Sequence, residues 1–212
     1  MPFQCIVAGI GTEIGKTVAS AVLVEALQAD YWKPIQSGAL EDSDTNTVRR
    51  LISNPQSVFH PEAYRLTQPL SPHAAAELDG VTIDLEHIQL PQTANNLIVE
   101  LAGGLMVPLN DRVLNINLIE ELGLPVLLVS RNYLGSINHT LLSVEACQRR
   151  GIHLLGILFN GPTVLATETF ILNYTGLACL GRIGEEPAMT KALISQYANS
   201  LLPTLNQIVE SL

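Results

Sequence analysis

The nine residues GIGTEIGKT, positions 9–17, follow the apolar run CIVA and precede VASAVLVEAL. A strand that runs into a glycine loop and then a helix is the opening turn of a βα unit, which commits the chain to an α/β design. Glycines let backbone N–H groups converge on phosphate oxygens, and the helix N-terminus adds its dipole. In that frame Lys16 reaches the outer phosphates and the Thr17 hydroxyl binds Mg²⁺. Five residues separate Gly9 from Gly15, where the usual phosphate loop has four.

The rest of the chain continues the alternation. Apolar runs at 29–34 (ADYWKP), 96–100 (NLIVE), 125–130 (PVLLVS), 153–160 (HLLGILFN) and 178–183 (ACLGRI) read as strands. Helices are expected at 17–29, 43–53, 116–122, 138–150 and 167–174, and residues 203–212 close the chain. Strands that are apolar on both faces and separated by helices predict a mostly parallel sheet covered on both sides. The expectation is one P-loop NTPase-like α/β domain over residues 1–212, with 55–93 as an irregular surface excursion.

Open parallel sheets bind ligands beyond the carboxyl ends of their strands. The residues there are the glycine loop, Lys33 and Ser37, Glu100 with Leu101-Ala102-Gly103, the stretch 131–138, Asn160-Gly161, and Gly184-Glu185. The chain has only three lysines, Lys16, Lys33 and Lys191. Lys33, at a buried strand end beside the loop, supplies a second cation where phosphoryl charge would develop. Glu100 ends an apolar strand and suits a Mg²⁺ ligand. Asp44 follows Ser43 at a helix start, where capping alone would explain it. His73, in SPHAAA, reads as structural.

Composition removes other classes. A net charge of −9 disfavours nucleic acid and anionic membrane as partners. Cys5, Cys147 and Cys179 are scattered and read as buried free thiols of a reducing cytoplasm, with no zinc spacing. No apolar run reaches a membrane span, and the N-terminus does not read as a signal peptide.

Six segments together resemble the dethiobiotin synthetase family over nearly the whole chain. GIGTEIGKT is similar to that family's GTDTxVGKT, including the five-residue spacing, and WKPIQSG to its KPxxSG. SDTNTV, SPHAAA, VELAGGLMVPL and LGSINHTLLSVEACQRRGI match its remaining segments in order. Three positions depart from the pattern: Gly11 stands for Asp, Leu101 for Gly, and Gly184 for Pro. Leu101 is expected to crowd the backbone near the phosphates.

The resemblance implies an ATP- and Mg²⁺-dependent ligase acting on 7,8-diaminononanoate and carbon dioxide. It implies Lys33 and Lys16 as catalytic, Ser37 on substrate, and Thr17, Asp44 and Glu100 on the metal. Thr12, Glu13, Ile14, Gly15, Lys16, Thr17 and Val18, with Glu100, Leu101, Ala102 and Gly103, line the phosphates. Asn160 and Gly161 read adenine, assisted by the backbone of Gly184, Glu185 and Glu186. The start of the helix at Gly135, Ser136, Ile137 and Asn138 presents free N–H groups to an anion. In the family that end belongs to the neighbouring protomer of a homodimer and holds the substrate carboxylate. The rival reading is a partition- or division-site nucleotide switch of the ParA or MinD kind. Such switches carry an early loop lysine, absent from Gly9-Ile10-Gly11, and a basic membrane helix, which PTLNQIVESL does not resemble.

Overall fold

The computed structural model describes residues 2–211, of Ser211 the backbone alone. The first unit is β1 (Gln4–Gly9) and α1 (Lys16–Leu27). Then come β2 (Asp30–Trp32), β3 (Ile35–Ser37), α2 (Asp44–Leu51), β4 (Phe59–His60), β5 (Tyr64–Leu66) and α3 (Pro72–Leu78). The second half runs β6 (Leu97–Gly104), α4 (Asn115–Leu122), β7 (Val126–Arg131), α5 (Ser136–Arg149), β8 (Leu154–Asn160), α6 (Leu165–Thr175), β9 (Cys179–Ile183) and α7 (Lys191–Ser211).

Seven strands form one sheet in the order β4-β2-β6-β1-β7-β8-β9, and each of its described pairings is parallel. β1 is central, flanked by β6 and β7, so its carboxyl end is the point where the strand order reverses direction. Cys5, Ile6, Val7 and Ala8 are all at most 1% exposed, so both faces of β1 are covered. α1 packs against α7 and α2, and α5 against α6. α1 is buried almost all round, from Ala19 to Val24, as expected of a helix wedged between the sheet and other helices.

Three short strands have no apolar run to announce them. β4 adds to the main sheet beside β2, while β3 and β5 form a separate parallel pair. The region 55–93 is therefore more than a surface excursion: Leu66, Ala75, Ala76, Ile83 and Ile88 are buried in the main core. The closing helix also begins earlier than residue 203, at Lys191, and carries Pro203 in its interior. Ile194, Ala198, Leu201 and Leu205 are buried at helical spacing on both sides of the exposed Pro203. That continuous stripe carries the helix through a residue that removes one backbone donor. Leu212, the last residue of the expected closing segment, lies outside the described residues.

The cysteines are free. Burial pushes the Cys5 thiol up to about 12 and Cys147 to about 11, and Cys179 is half-buried.

Glu25, on α1, ties that helix to the segment after α2 and to α7. Its carboxylate accepts from Ser53 N at 2.8 Å, Ser53 Oγ, Asn54 N at 3.1 Å, Asn54 Nδ2 at 3.3 Å and Ser195 Oγ at 2.9 Å. Burial alone would raise its pKa; the bonds from Ser53, Asn54 and Ser195 outweigh burial and lower it from 4.5 to about 2. A depressed carboxyl stabilises the fold above its unfolded pKa and loses that effect as pH falls through the folded value. Glu25→Gln should therefore cost about 1–2 kcal/mol at pH 7 in urea unfolding, with the gap narrowing between pH 4.5 and pH 2. A gap that stays constant with pH would remove the charge from this account.

Candidate active site

β1 delivers the chain into the loop at Gly9, and the loop closes on α1 at Gly15. Glu13 and Gly15 both adopt left-handed backbone, at φ 56° and 92°. A Cβ at Gly15 would lie 2.1 Å from Asn160 Nδ2, so only glycine fits there. Asn160 donates through Nδ2 to Ile14 O at 2.9 Å and so buttresses the loop from the end of β8. Lys16 folds over the loop, its Nζ donating to Gly11 O at 2.9 Å. Burial, reinforced by the charge of Lys33 and opposed by Glu100 and Asp44, lowers its pKa to about 8.

Beside the loop lies a charge cluster in which Lys33 and Glu100 are buried and Asp44 is partly exposed. Thr17 Oγ1 is 2.8 Å from Asp44 Oδ1 and 2.9 Å from Glu100 Oε1. Lys33 Nζ donates to Asp44 Oδ2 and, at 3.2 Å, to Glu100 Oε1. Tyr31 donates its phenol to Glu100 Oε2 at 2.9 Å. Burial works against the charge of Lys33, but Glu100 and Asp44 outweigh it and hold the pKa above the ordinary lysine value. Burial likewise opposes Asp44, and Lys33 outweighs it, so that carboxyl lies below its ordinary value. The Tyr31 phenol is pushed well above 10 by burial and by the charge of Glu100.

Asp44 is not the cap of its helix. Ser43 Oγ accepts from Asn46 N at 3.3 Å and fills that role, while the Asp44 carboxylate turns to Thr17 and Lys33. Asp44 N in turn donates to Gln36 Oε1 at 3.3 Å, and Gln36 Nε2 donates to Gly38 O at 3.0 Å, which anchors the start of α2.

A cavity of about 840 Å³ opens over this cluster. Thr12, Glu13, Gly15, Lys16, Thr17, Val18, Lys33, Ser37, Asp44, Glu100, Ala102 and Gly103 all line it. Ser37 Oγ is buried without a hydrogen-bond partner among the described residues. The far wall is Pro69, Leu70, Ser71 and Pro72, with Val107. The motif SPHAAA marks part of that wall in the sequence; Gln36 and Tyr31 carry no sequence signal beyond lying next to WKP.

Other expected residues sit elsewhere. Ile14 and Leu101 are 3% and 2% exposed and belong to the core. The expected crowding by Leu101 does not occur. Val7 pairs with Glu100 and Gly9 with Gly104, so β6 bulges here and Leu101 turns inward while Ala102 and Gly103 face the cavity. Asn160 and Gly161 lie behind the loop. Glu185 pairs with Arg131 at 3.0 Å, and Arg131 also donates to Glu13 O at 3.4 Å, tying the loop after β9 to the phosphate loop. Gly184 N donates to the Tyr197 hydroxyl at 3.0 Å, and that hydroxyl donates to Glu186 Oε1 at 2.7 Å. A proline at 184 could not make this bond. The α5 start at Gly135, Ser136, Ile137 and Asn138 does not line the main cavity. It adjoins a separate recess on the other side of the loop, bounded by Gly11, Glu13, Arg131, Tyr133 and His139.

The donors Thr17, Asp44 and Glu100 fit Mg²⁺. They are hard oxygens from three segments, and Mg²⁺ takes one or two carboxylates and completes its shell with water and phosphate. Lys33, bonded to both carboxylates, shows that this pocket holds positive charge.

Among solved structures, a ParA family ATPase from Chlorobium tepidum TLS superposes with a TM-score of 0.60 at 12% identity, covering 93% of this chain and 98% of that one. The cell division ATPase MinD of Pyrococcus furiosus gives 0.59 at 13% identity, covering 98% and 100%. The AAA domain family matches residues 4–192. Fold and loop thus define a P-loop NTPase of the AAA domain family. In sequence, the ATP-dependent dethiobiotin synthetase of Christiangramia forsetii is 50% identical over 208 residues, 98% of this chain and 100% of that protein. The one from Cytophaga hutchinsonii is 50% identical over 196 residues, 92% and 95% of the two chains. The chain belongs to the ATP-dependent dethiobiotin synthetase family and is an ATP-dependent ligase.

The two loop glycines separate by sterics. Gly11 has nothing within 4 Å of a built Cβ, whereas Gly15 meets Asn160 and has φ 92°. Gly11→Ala should melt within about 3 °C of wild type, a shift worth about 1 kcal/mol in a chain of this size. Gly15→Ala should lose at least about tenfold in ADP affinity, the equivalent of roughly 1.4 kcal/mol. Equal ADP binding by the two variants, measured by calorimetry, would contradict the steric account.

Proposed function

We propose that this chain joins carbon dioxide to 7,8-diaminononanoate and closes the product to dethiobiotin, with conversion of ATP to ADP and phosphate. One amine attacks the carbon of carbon dioxide and loses a proton, giving a carbamate. A carbamate oxygen attacks the γ-phosphorus and ADP leaves. The second amine attacks the activated carbonyl carbon, phosphate leaves, a proton is lost, and the cyclic urea forms. The name of the cited relatives, ATP-dependent dethiobiotin synthetase, supports this choice of product.

The observation that carries the reading is the pair of lysines around one cavity. Lys16 lies over the loop, and Lys33 sits at the end of β2 beside Asp44 and Glu100. Two fixed, buried cations stabilise charge that develops on a transferring phosphoryl group. Thr17, Asp44 and Glu100 would hold Mg²⁺, which when bound neutralises phosphate charge. The Ser37 hydroxyl, buried and unpartnered among the described residues, supplies a hydrogen bond to substrate. Residues 12–18 and the backbone of 101–103 would follow the phosphates. Asn160, Gly161 and the backbone of 184–186 would meet adenine. The whole chain would act as one domain.

The assay is ADP release. It should require both the diamine and bicarbonate, and Lys33→Ala should lower turnover at least about tenfold, 1.4 kcal/mol of barrier, while ADP still binds. Release that is independent of the diamine would favour a nucleotide switch. Turnover of the variant within about threefold of wild type would remove Lys33 from the chemistry.

The reading extends to a homodimer with shared sites. The α5 start lies apart from the main cavity, so it would serve a partner's substrate. An apolar face adjoins it: Leu134 is 103% exposed, Leu165 70% and Tyr174 71%, with Leu142 and Phe170 also exposed. Isologous pairing through that face would give two equivalent sites. Lys33→Ala and Gly135→Asp homodimers should each be inactive, and mixed dimers should regain up to about one quarter to one half of wild-type turnover, because one site keeps both intact parts. A mixture that exchanges subunits and stays inactive would place the carboxylate site within one chain.

A further inference from the structure

Glu100 presents its two oxygens to different surroundings. Oε1 faces the cavity side, 2.9 Å from Thr17 Oγ1 and 3.2 Å from Lys33 Nζ. Oε2 faces the other way and accepts from the Tyr31 phenol at 2.9 Å. Both residues are at most 1% exposed, so water does not substitute for the phenol. Tyr31 is paired with Ile98 in the middle of the sheet and its ring packs near Phe59, at 5.9 Å between centroids. Phenylalanine would fill that volume equally well. What the hydroxyl adds is a donor directed at one oxygen of one carboxylate.

We infer that Tyr31 is a positioning residue for metal selection: by occupying Glu100 Oε2 it restricts Glu100 to one metal-facing oxygen. The inference rests on the reading of Glu100 as a metal-facing group. Mg²⁺ is small and demands near-octahedral geometry, which a single carboxylate oxygen satisfies and two oxygens of one carboxylate strain. Ca²⁺ is larger, tolerates six to eight ligands, and accepts a carboxylate through both oxygens. A carboxylate pinned on its inner oxygen therefore favours Mg²⁺. Released from the phenol, Glu100 can rotate, the Mg²⁺ geometry loosens, and two-oxygen contact becomes available to Ca²⁺. Outer-shell partners of this kind set metal affinity by about 10- to 100-fold.

The test is calorimetric binding of ADP to the full chain without metal, with Mg²⁺ and with Ca²⁺, for wild type, Tyr31→Phe and Glu100→Gln. The quantity read is the gain in ADP affinity that each metal brings. Tyr31→Phe should leave metal-free binding within about twofold, reduce the Mg²⁺ gain about tenfold, and leave the Ca²⁺ gain unchanged or larger. Its melting temperature without metal reports separately what the lost hydrogen bond does to the fold. If the Mg²⁺ gain is unchanged, or if both gains fall together, Tyr31 is only a core residue and the inference fails. Glu100→Gln separates the two levels. A lowered Mg²⁺ gain there with none in Tyr31→Phe would leave Glu100 on the metal and remove only the role of Tyr31. An unaltered gain in Glu100→Gln would overturn the metal-facing reading and this inference with it.

Discussion

Two carboxylates and one ammonium meet where three chain segments converge, Lys33 and Glu100 buried and Asp44 partly exposed, and the architecture of the site follows from pairing that charge. Asp44 arrives on α2, Glu100 on β6 and Lys33 at the end of β2. Neither Lys33 nor Glu100 could be taken out of water alone; an unpaired buried charge costs several kcal/mol, and breaking such a pair strands its partner. The cluster therefore ties the ends of β2 and β6 to the start of α2. The phosphate loop joins it through Thr17, whose hydroxyl lies between the two acids.

That constraint explains why so few local devices are spent on binding. Ser43 caps α2 so that Asp44 is free for the cavity. Gln36 bonds the same helix start, and Asn160 holds the loop from behind. Each of these groups acts on the backbone, and the charged side chains are left to face the ligand. The order of strands places them all on one edge, since β1 lies between β6 and β7 and its carboxyl end is where the sheet diverges.

Much of this was legible in the chain. The glycine loop, Lys33 and Glu100 break long apolar runs, and a break at a strand end is visible without coordinates. The parallel sheet could be read because apolar runs alternate with helical segments. Other parts were invisible for physical reasons. β3, β4 and β5 are two or three residues long, too short for any periodicity to register. The α7 helix passes Pro203 because buried residues on either side outweigh one missing donor. Leu101 looked like an obstruction because it stands where the family pattern has glycine; that its side chain packs into the core beside an irregular register with β1 is visible only in the structure. Asp44 could not be told from a cap until Ser43 was seen to be one. The role of Tyr31 was hidden because a tyrosine in an apolar strand reads as core whether or not its hydroxyl has a target.

The cavity has walls of unequal stiffness. The phosphate side is made by the two central strands and a helix buried nearly all round, and it shifts only if the sheet does. The opposite side, Pro69, Leu70, Ser71 and Pro72, hangs on the small β3–β5 pair and a seven-residue helix. Local opening is drawn from such lightly supported segments. In the proposed reaction the two ligands would therefore meet different mechanics: the nucleotide on the sheet-backed side of the cavity, the small organic molecule along the segment 69–72.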